Sequence, residues 1–122
     1  MYELFAESSF SAAHRLEQYP GNCARWHGHN WTVRVRMTAD ALNSIGLGVD
    51  LRDIKAALRG LVEKLDHAVL NDVPELEGRN PTCELLAEYV YQALAKQLNT
   101  EHAKLSKVEV YETPTSGAAY FE

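Results

Sequence analysis

The sequence predicts an α+β domain in which an antiparallel sheet carries two helices on one face. Three observations lead there: alternating apolar and polar residues in the first forty positions, apolar residues at spacings of three and four through the middle, and a return to alternation at the end. Strands, then both helices, then strands again give the order ββααββ. The first strand runs from Tyr2 through Phe10 and on to Ala13, with His14 closing it; Leu4, Ala6, Phe10, Ala12 and His14 share parity and therefore one face. The second is carried by Asn30-Trp-Thr-Val-Arg-Val-Arg-Met37, where Trp31, Val33, Val35 and Met37 take the apolar side and Arg34 and Arg36 the other. A loop from Ala39 to Val49 holds the turn formers Asn43-Ser and Gly46-Leu-Gly48.

The period then changes to that of a helix. Asp50 caps a segment with Leu51, Ile54, Leu58, Leu61, Val62 and Leu65 on one stripe, Asp53 favoured in the first turn by the helix dipole, and an end near Asp66-His67. After a loop through Asn71, Pro74, Gly78 and Pro81, Thr82 caps a second helix with Leu85, Leu86, Tyr89, Val90, Ala93, Leu94 and Leu98 on its buried stripe. Two further strands, Lys107 to Thr113 and Ala118 to Phe121, are split by Pro114-Thr-Ser-Gly117. No linker or repeat interrupts the chain, and 122 residues with 46% hydrophobic content suit a single domain, residues 1–122, with a core of its own.

Charge narrows the partners. A formal net charge of −5 without a Lys/Arg cluster argues against a nucleic-acid surface and leaves small molecules as the expected ligands. No apolar run approaches membrane-spanning length, and the start of the chain has neither basic residues nor an apolar stretch, so the expectation is no membrane and a cytoplasmic protein. In such a compartment Cys23 and Cys83 are expected as thiols, Cys83 as a small buried or helix-start residue.

Chemistry concentrates between His14 and His29. His27 and His29 lie in line with Trp31 and the apolar face of the second strand, and alternate strand positions, about 6.5 Å apart, let two imidazoles converge on one ion at roughly 2.0–2.1 Å each. If the first two strands pair as a hairpin, the end of one lies beside the start of the next and His14 joins them. An isolated histidine on an apolar face is usually a satisfied core residue; three converging ones form a neutral nitrogen set suited to zinc, with the fourth tetrahedral position open as in catalytic sites. Two further features bear on function. Asp66-His67 reads either as a dyad or as a cation stabilising a helix end. Glu112, sharing parity with Val108 and Val110, is an inward carboxylate needing a partner: an internal Arg or Lys, or a ligand offering two adjacent N–H donors.

Taken in order, Ser11-Ala-Ala-His-Arg-Leu16, Cys23-x(3)-His27-Gly-His29, Leu65-Asp-His67, Leu70-Asn71, Pro81-Thr82-x-Glu84 and Glu112-Thr113 resemble the 6-pyruvoyltetrahydropterin synthase family, nearly end to end. The gap between Cys23 and His27 and the ending Glu112-Thr-Pro-Thr-Ser-Gly-Ala-Ala-Tyr120 look most like its bacterial 6-carboxytetrahydropterin synthase branch, of the queuosine pathway. The resemblance implies a tunnelling fold whose subunits form trimeric barrels stacked as hexamers, with active sites between subunits. It also implies action on 7,8-dihydroneopterin triphosphate. On this resemblance His14, His27 and His29 hold Zn2+, Cys23 is a general base, Asp66 orients His67 as a proton shuttle, and Glu112 grips the pterin's amino-pyrimidine edge. Thr82 and Glu84 would complete the pterin pocket, and Arg15 and Arg25 are candidates for the triphosphate. The chain departs from the pattern at Cys83, where relatives often carry Ser or Ala, at Leu51, where Phe is usual, and at Gly78-Arg79, which look like an insertion.

Overall fold

The structure, a computed structural model, describes residues 1–21 and 24–122. Among the described residues the chain forms a five-stranded sheet and two α-helices: β1 (Tyr2–His14), β2 (His27–Ala39), α1 (Leu51–Leu65), β3 (Ala68–Val69), α2 (Cys83–Leu98), β4 (Ala103–Thr113) and β5 (Ser116–Tyr120). Strand order is β3-β1-β2-β4-β5. β1 and β2 pair antiparallel without a break, from Tyr2 opposite Ala39 to His14 opposite His27.

Alternation decides which side chains lie under the helices. Ala6, Phe10, Ala12 and His14 from β1 and Trp31, Val33, Val35 and Met37 from β2 are buried, and they meet Ile54, Leu58, Leu61, Val62 and Leu65 of α1 and Leu86, Val90, Leu94 and Leu98 of α2. Burying each such large apolar side chain is worth on the order of 1.5–3 kcal/mol. The other sheet face is charged, as expected for Arg34 and Arg36: Arg36 bridges Glu3 at 2.7 Å and Glu109 at 3.1 Å, and Arg34 pairs with Glu7 at 2.7 Å. Both helix caps form as expected, Asp50 accepting from the Arg52 N–H at 2.9 Å and the Thr82 hydroxyl from the Leu85 N–H at 3.2 Å.

Two strand starts and one loop differ from the sequence expectation. β4 begins at Ala103 rather than Lys107, because its ladder with β2 slips between Arg36 and Met37. The slip moves the buried positions from odd (Ala103, Leu105) to even (Val108, Val110), so simple alternation breaks just where the strand continues. β5 begins at Ser116 and leaves only Pro114-Thr115 as the turn. The loop between the helices is also more ordered than Asn, Pro and Gly alone suggest: β3 adds a two-residue parallel pairing with Ala12 and Ala13, and 3-10 turns at Leu70–Asp72 and Pro74–Leu76 bury Leu70 and Leu76.

Candidate metal centre and active site

His14 and His27 are direct cross-strand partners, and His29 stands opposite Ala12, one pleat further in. Each offers a ligand nitrogen, and these atoms lie within 4.8 Å of one another. The rings meet edge to face, with centroids 4.5 Å apart for His14–His27, 4.9 Å for His27–His29 and 5.2 Å for His14–His29. Trp31 closes the inner side, its centroid 4.9 Å from His14 and 5.3 Å from His29, and its indole N–H donates to the Ala12 carbonyl at 3.1 Å.

Backbone carbonyls fix the tautomers. His14 Nδ1 lies 2.9 Å from the Pro81 carbonyl and His27 Nδ1 2.8 Å from the Arg25 carbonyl. A carbonyl can only accept, so both Nδ1 atoms carry the proton and both Nε2 atoms present a lone pair. This is the orienting partner a metal-bound imidazole needs behind it. The Nε2 atoms of His14 and His29 are buried and, among the described residues, have no hydrogen-bond partner. Leaving a buried polar atom unpaired costs about 1–3 kcal/mol, so two pointing into one cluster fit a group that accepts lone pairs. Electrostatics agree: burial is the largest cause lowering the His14 pKa, opposed by the Pro81 carbonyl and then reinforced by His27 and His29. Burial also lowers His29, against the pull of Glu112. Neutral imidazoles are the form that binds a metal.

The segments around the triad are tied together by side chains that copy backbone pairing. Asn71 accepts from the Arg15 N–H and donates to the Arg15 carbonyl, both at 3.0 Å. Asn80 does the same for Glu17, at 2.8 and 3.0 Å. These two asparagines hold the chain leaving His14 against the loop that supplies Pro81. In the sequence Asn80 carries no signal of this role and Pro81 reads as a loop residue and part of a motif, because a carbonyl acting through its position leaves no residue-type signal.

Glu112 faces the triad, with Oε2 3.8 Å from His29 Nε2. Among the described residues no Arg or Lys forms an ion pair with it. Asp66 and His67 lie elsewhere. They come directly after α1 at the sheet edge, where Asp66 accepts from the Ser11 N–H at 2.9 Å and the His67 N–H donates to the Ser11 carbonyl at 2.6 Å. Asp66 Oδ2 is 3.0 Å from His67 Nδ1, and the His67 side chain is 83% exposed. The Ser11 amide is the main cause holding the Asp66 carboxyl below its usual range, burial opposing it and His67 adding to it. His67 borders an open groove of about 460 Å³ that Ser11, Ala12, Ala13, Gly28, Asn30 and the triad residue His29 also line. Among the described residues no hydrogen bond or ion pair joins the dyad to the three histidines.

The remaining sequence candidates divide. Cys23 lies outside the described residues. Thr82 spends its hydroxyl on the helix cap, and Glu84 is exposed in the first turn of α2. Cys83 is the buried first residue of α2, as expected, its thiol pushed up to about 11 chiefly by burial. The Arg15 guanidinium lies over the Trp26 ring at 4.8 Å, and Arg25 is exposed.

A sheet with both helices on one face and, at one end, three histidines that could hold a metal ion define an α+β protein with a candidate metal centre. Residues 3–122 match the family described as 6-pyruvoyl tetrahydropterin synthase, and the chain belongs to that family. It is 40% identical to 6-carboxy-5,6,7,8-tetrahydropterin synthase of Synechocystis sp., a match covering 99% of this chain and 94% of the relative. The protein of the same name from Bacillus subtilis is 32% identical over 98% of this chain and 84% of its own length. The fold is similar to the solved structure of Caenorhabditis elegans 6-pyruvoyl tetrahydropterin synthase, with a TM-score of 0.88, 28% identity and coverage of 99% of this chain and 95% of that one.

Proposed function

We propose that the protein is a zinc-dependent lyase that converts 7,8-dihydroneopterin triphosphate and water to 6-carboxy-5,6,7,8-tetrahydropterin, acetaldehyde and triphosphate, a step of queuosine biosynthesis. The observation that carries this reading is the pair of buried Nε2 atoms, unpartnered among the described residues, in a triad whose other nitrogens are committed to backbone carbonyls at His14 and His27. The relatives named 6-carboxy-5,6,7,8-tetrahydropterin synthase at 40% and 32% identity favour the carboxy product over the pyruvoyl one.

His14, His27 and His29 hold the metal. Zinc, when bound, supplies Lewis-acid polarisation of the substrate's side-chain hydroxyls. Cys23, four residues before His27, takes a proton from the substrate side chain as general base. His67 carries a proton to or from the opposite side of the substrate, and Asp66 keeps its ring oriented. Glu112 accepts two N–H bonds from the amino-pyrimidine edge of the pterin, a charge-assisted fork worth roughly 1.5–3 kcal/mol. Thr82 and Glu84 border the pterin pocket, and Arg15 and Arg25 meet the triphosphate. His67 is 83% exposed and no hydrogen bond or ion pair among the described residues joins it to the triad, and on the family's pattern it serves the triad of a second copy. On this reading the working enzyme is a homo-oligomer, a hexamer with sites between subunits, in the cytoplasm.

The test is anaerobic incubation of zinc-loaded protein with 7,8-dihydroneopterin triphosphate, with product identification by mass spectrometry. A 6-carboxy product is expected. A 6-pyruvoyl product would move the protein to the sister activity, and no turnover at full metal occupancy would favour a zinc that merely staples the sheet, with Cys23 as its fourth ligand.

A further inference from the structure

Gly117 stands where no side chain fits. A Cβ there would run into the Val110 carbonyl oxygen and come within 2.8 Å of the Tyr111 Cα. Both obstacles are backbone, so neither can swing aside as a side-chain end would. By contrast, a Cβ on Gly28, beside the metal ligands, would meet its nearest neighbour at 3.7 Å, an ordinary contact. The requirement at Gly117 is close approach of two strands, for which glycine is the residue available.

This contact matters because the next residue of β4 after Tyr111 is Glu112. Tyr111 pairs with Gly117 and Thr113 with Ser116, so the ladder slips across Glu112, which has no partner in β5. On its other side the ladder with β2 ends at Thr32 opposite Tyr111, one residue short of Glu112. The backbone of Glu112 is thus an irregular step held at each end by the β4–β5 contact. One end is the close approach at Gly117. The other is tied by the hydroxyls of Thr113 and Ser116, 2.6 Å apart. Any widening at Gly117 shifts Val110 and Tyr111 and passes directly into the position of the Glu112 carboxylate.

We propose that Gly117 is a positioning residue for pterin recognition: its missing side chain lets β5 lie against β4 closely enough to set the irregular step that aims Glu112 toward the metal triad. The inference rests on the reading of Glu112 as the pterin anchor. A bidentate fork tolerates little displacement, so a shift of a few tenths of an ångström at Glu112 is felt in affinity.

The experiment is a double-mutant cycle on the zinc-loaded oligomer with Gly117→Ala, Glu112→Gln and the double variant, reading the Kd for 7,8-dihydroneopterin by fluorescence titration alongside zinc content. Each single variant is expected to retain zinc and weaken binding about tenfold or more, and the double variant to bind no more weakly than Glu112→Gln alone. Losses that multiply in the double variant, or a Gly117→Ala variant that binds normally while Glu112→Gln does not, would overturn the role of Gly117 and leave the anchor standing. Normal binding by Glu112→Gln would overturn the anchor and the proposal with it. If Gly117→Ala fails to assemble, Ser116→Ala, which unties the other end of the step, enters the same cycle: a roughly twofold to threefold loss that vanishes in the Glu112→Gln background supports the proposal, and its absence refutes it.

Discussion

The two histidine sites of this chain are built in opposite ways. His14 is 2% exposed, its Nδ1 spent on a carbonyl and its Nε2 turned into a cluster with His27 and His29. His67 is 83% exposed on its side chain, has a left-handed φ of 57°, and among the described residues its ring pairs with the neighbouring Asp66 alone. The triad is complete within one chain, because two paired strands and one loop carbonyl determine it. The dyad is held at the sheet edge by the Ser11 amide and carbonyl. Folding alone brings the three histidines together, whereas under the proposed function the dyad serves a second copy.

Breaking the triad should give the largest effect. His14→Ala is expected to abolish metal retention, measured by elemental analysis after dialysis, and to destabilise the fold by about 1–3 kcal/mol because the Pro81 carbonyl loses its buried donor. His67→Ala should leave metal content unchanged while turnover falls roughly 10²–10⁴-fold, the usual span of a general acid–base group. A companion, His67→Gly, should be equally inactive but about 1 kcal/mol more stable than His67→Ala in urea unfolding, since glycine adopts the left-handed backbone at no steric cost.

Asp66 sharpens the contrast through pH. Its carboxyl pKa is depressed in the folded protein, first by the Ser11 amide, so the folded state binds fewer protons than the unfolded state around the carboxylate range. The stability it contributes is present above the ordinary Asp value of 3.8 and is lost as pH falls through the lower folded value. Asp66→Asn should accordingly be less stable than the wild type at neutral pH, with the gap closing in acid-unfolding curves below the ordinary Asp value. The smallest effect belongs to Thr82, whose hydroxyl caps α2 next to Pro81: Thr82→Ala should cost about 1 kcal/mol in thermal or denaturant unfolding with metal retained.

The strands and helices that build the triad are legible in the sequence because burial writes itself as a period. Trp31, Val33, Val35 and Met37 announce the face on which His27 and His29 lie, and the hairpin brings in His14. The start of β4 is not legible, since the slip opposite Arg36 changes the parity of its buried residues and a period of two no longer spans it. Nor are β3, too short for a period, or the carbonyls of Pro81 and Arg25, which act whatever their side chains. The Asp66-His67 pair is readable as a candidate by residue type, but its placement at the sheet edge depends on β3 and Ser11, which no local pattern signals.

The central claim, a triad from one copy served by the dyad of another, is tested most directly by subunit mixing. Two separately inactive variants, His29→Ala and His67→Ala, are dissociated, mixed in equal amounts and reassembled with zinc, and turnover of 7,8-dihydroneopterin triphosphate is measured. If each site draws on two copies, a triad from the His67→Ala chain can meet an intact His67 from the His29→Ala chain, and activity should return to about a quarter of the wild-type level. Mixed oligomers that form, retain zinc and stay as inactive as either parent would place both halves of the site in a single chain and contradict the account.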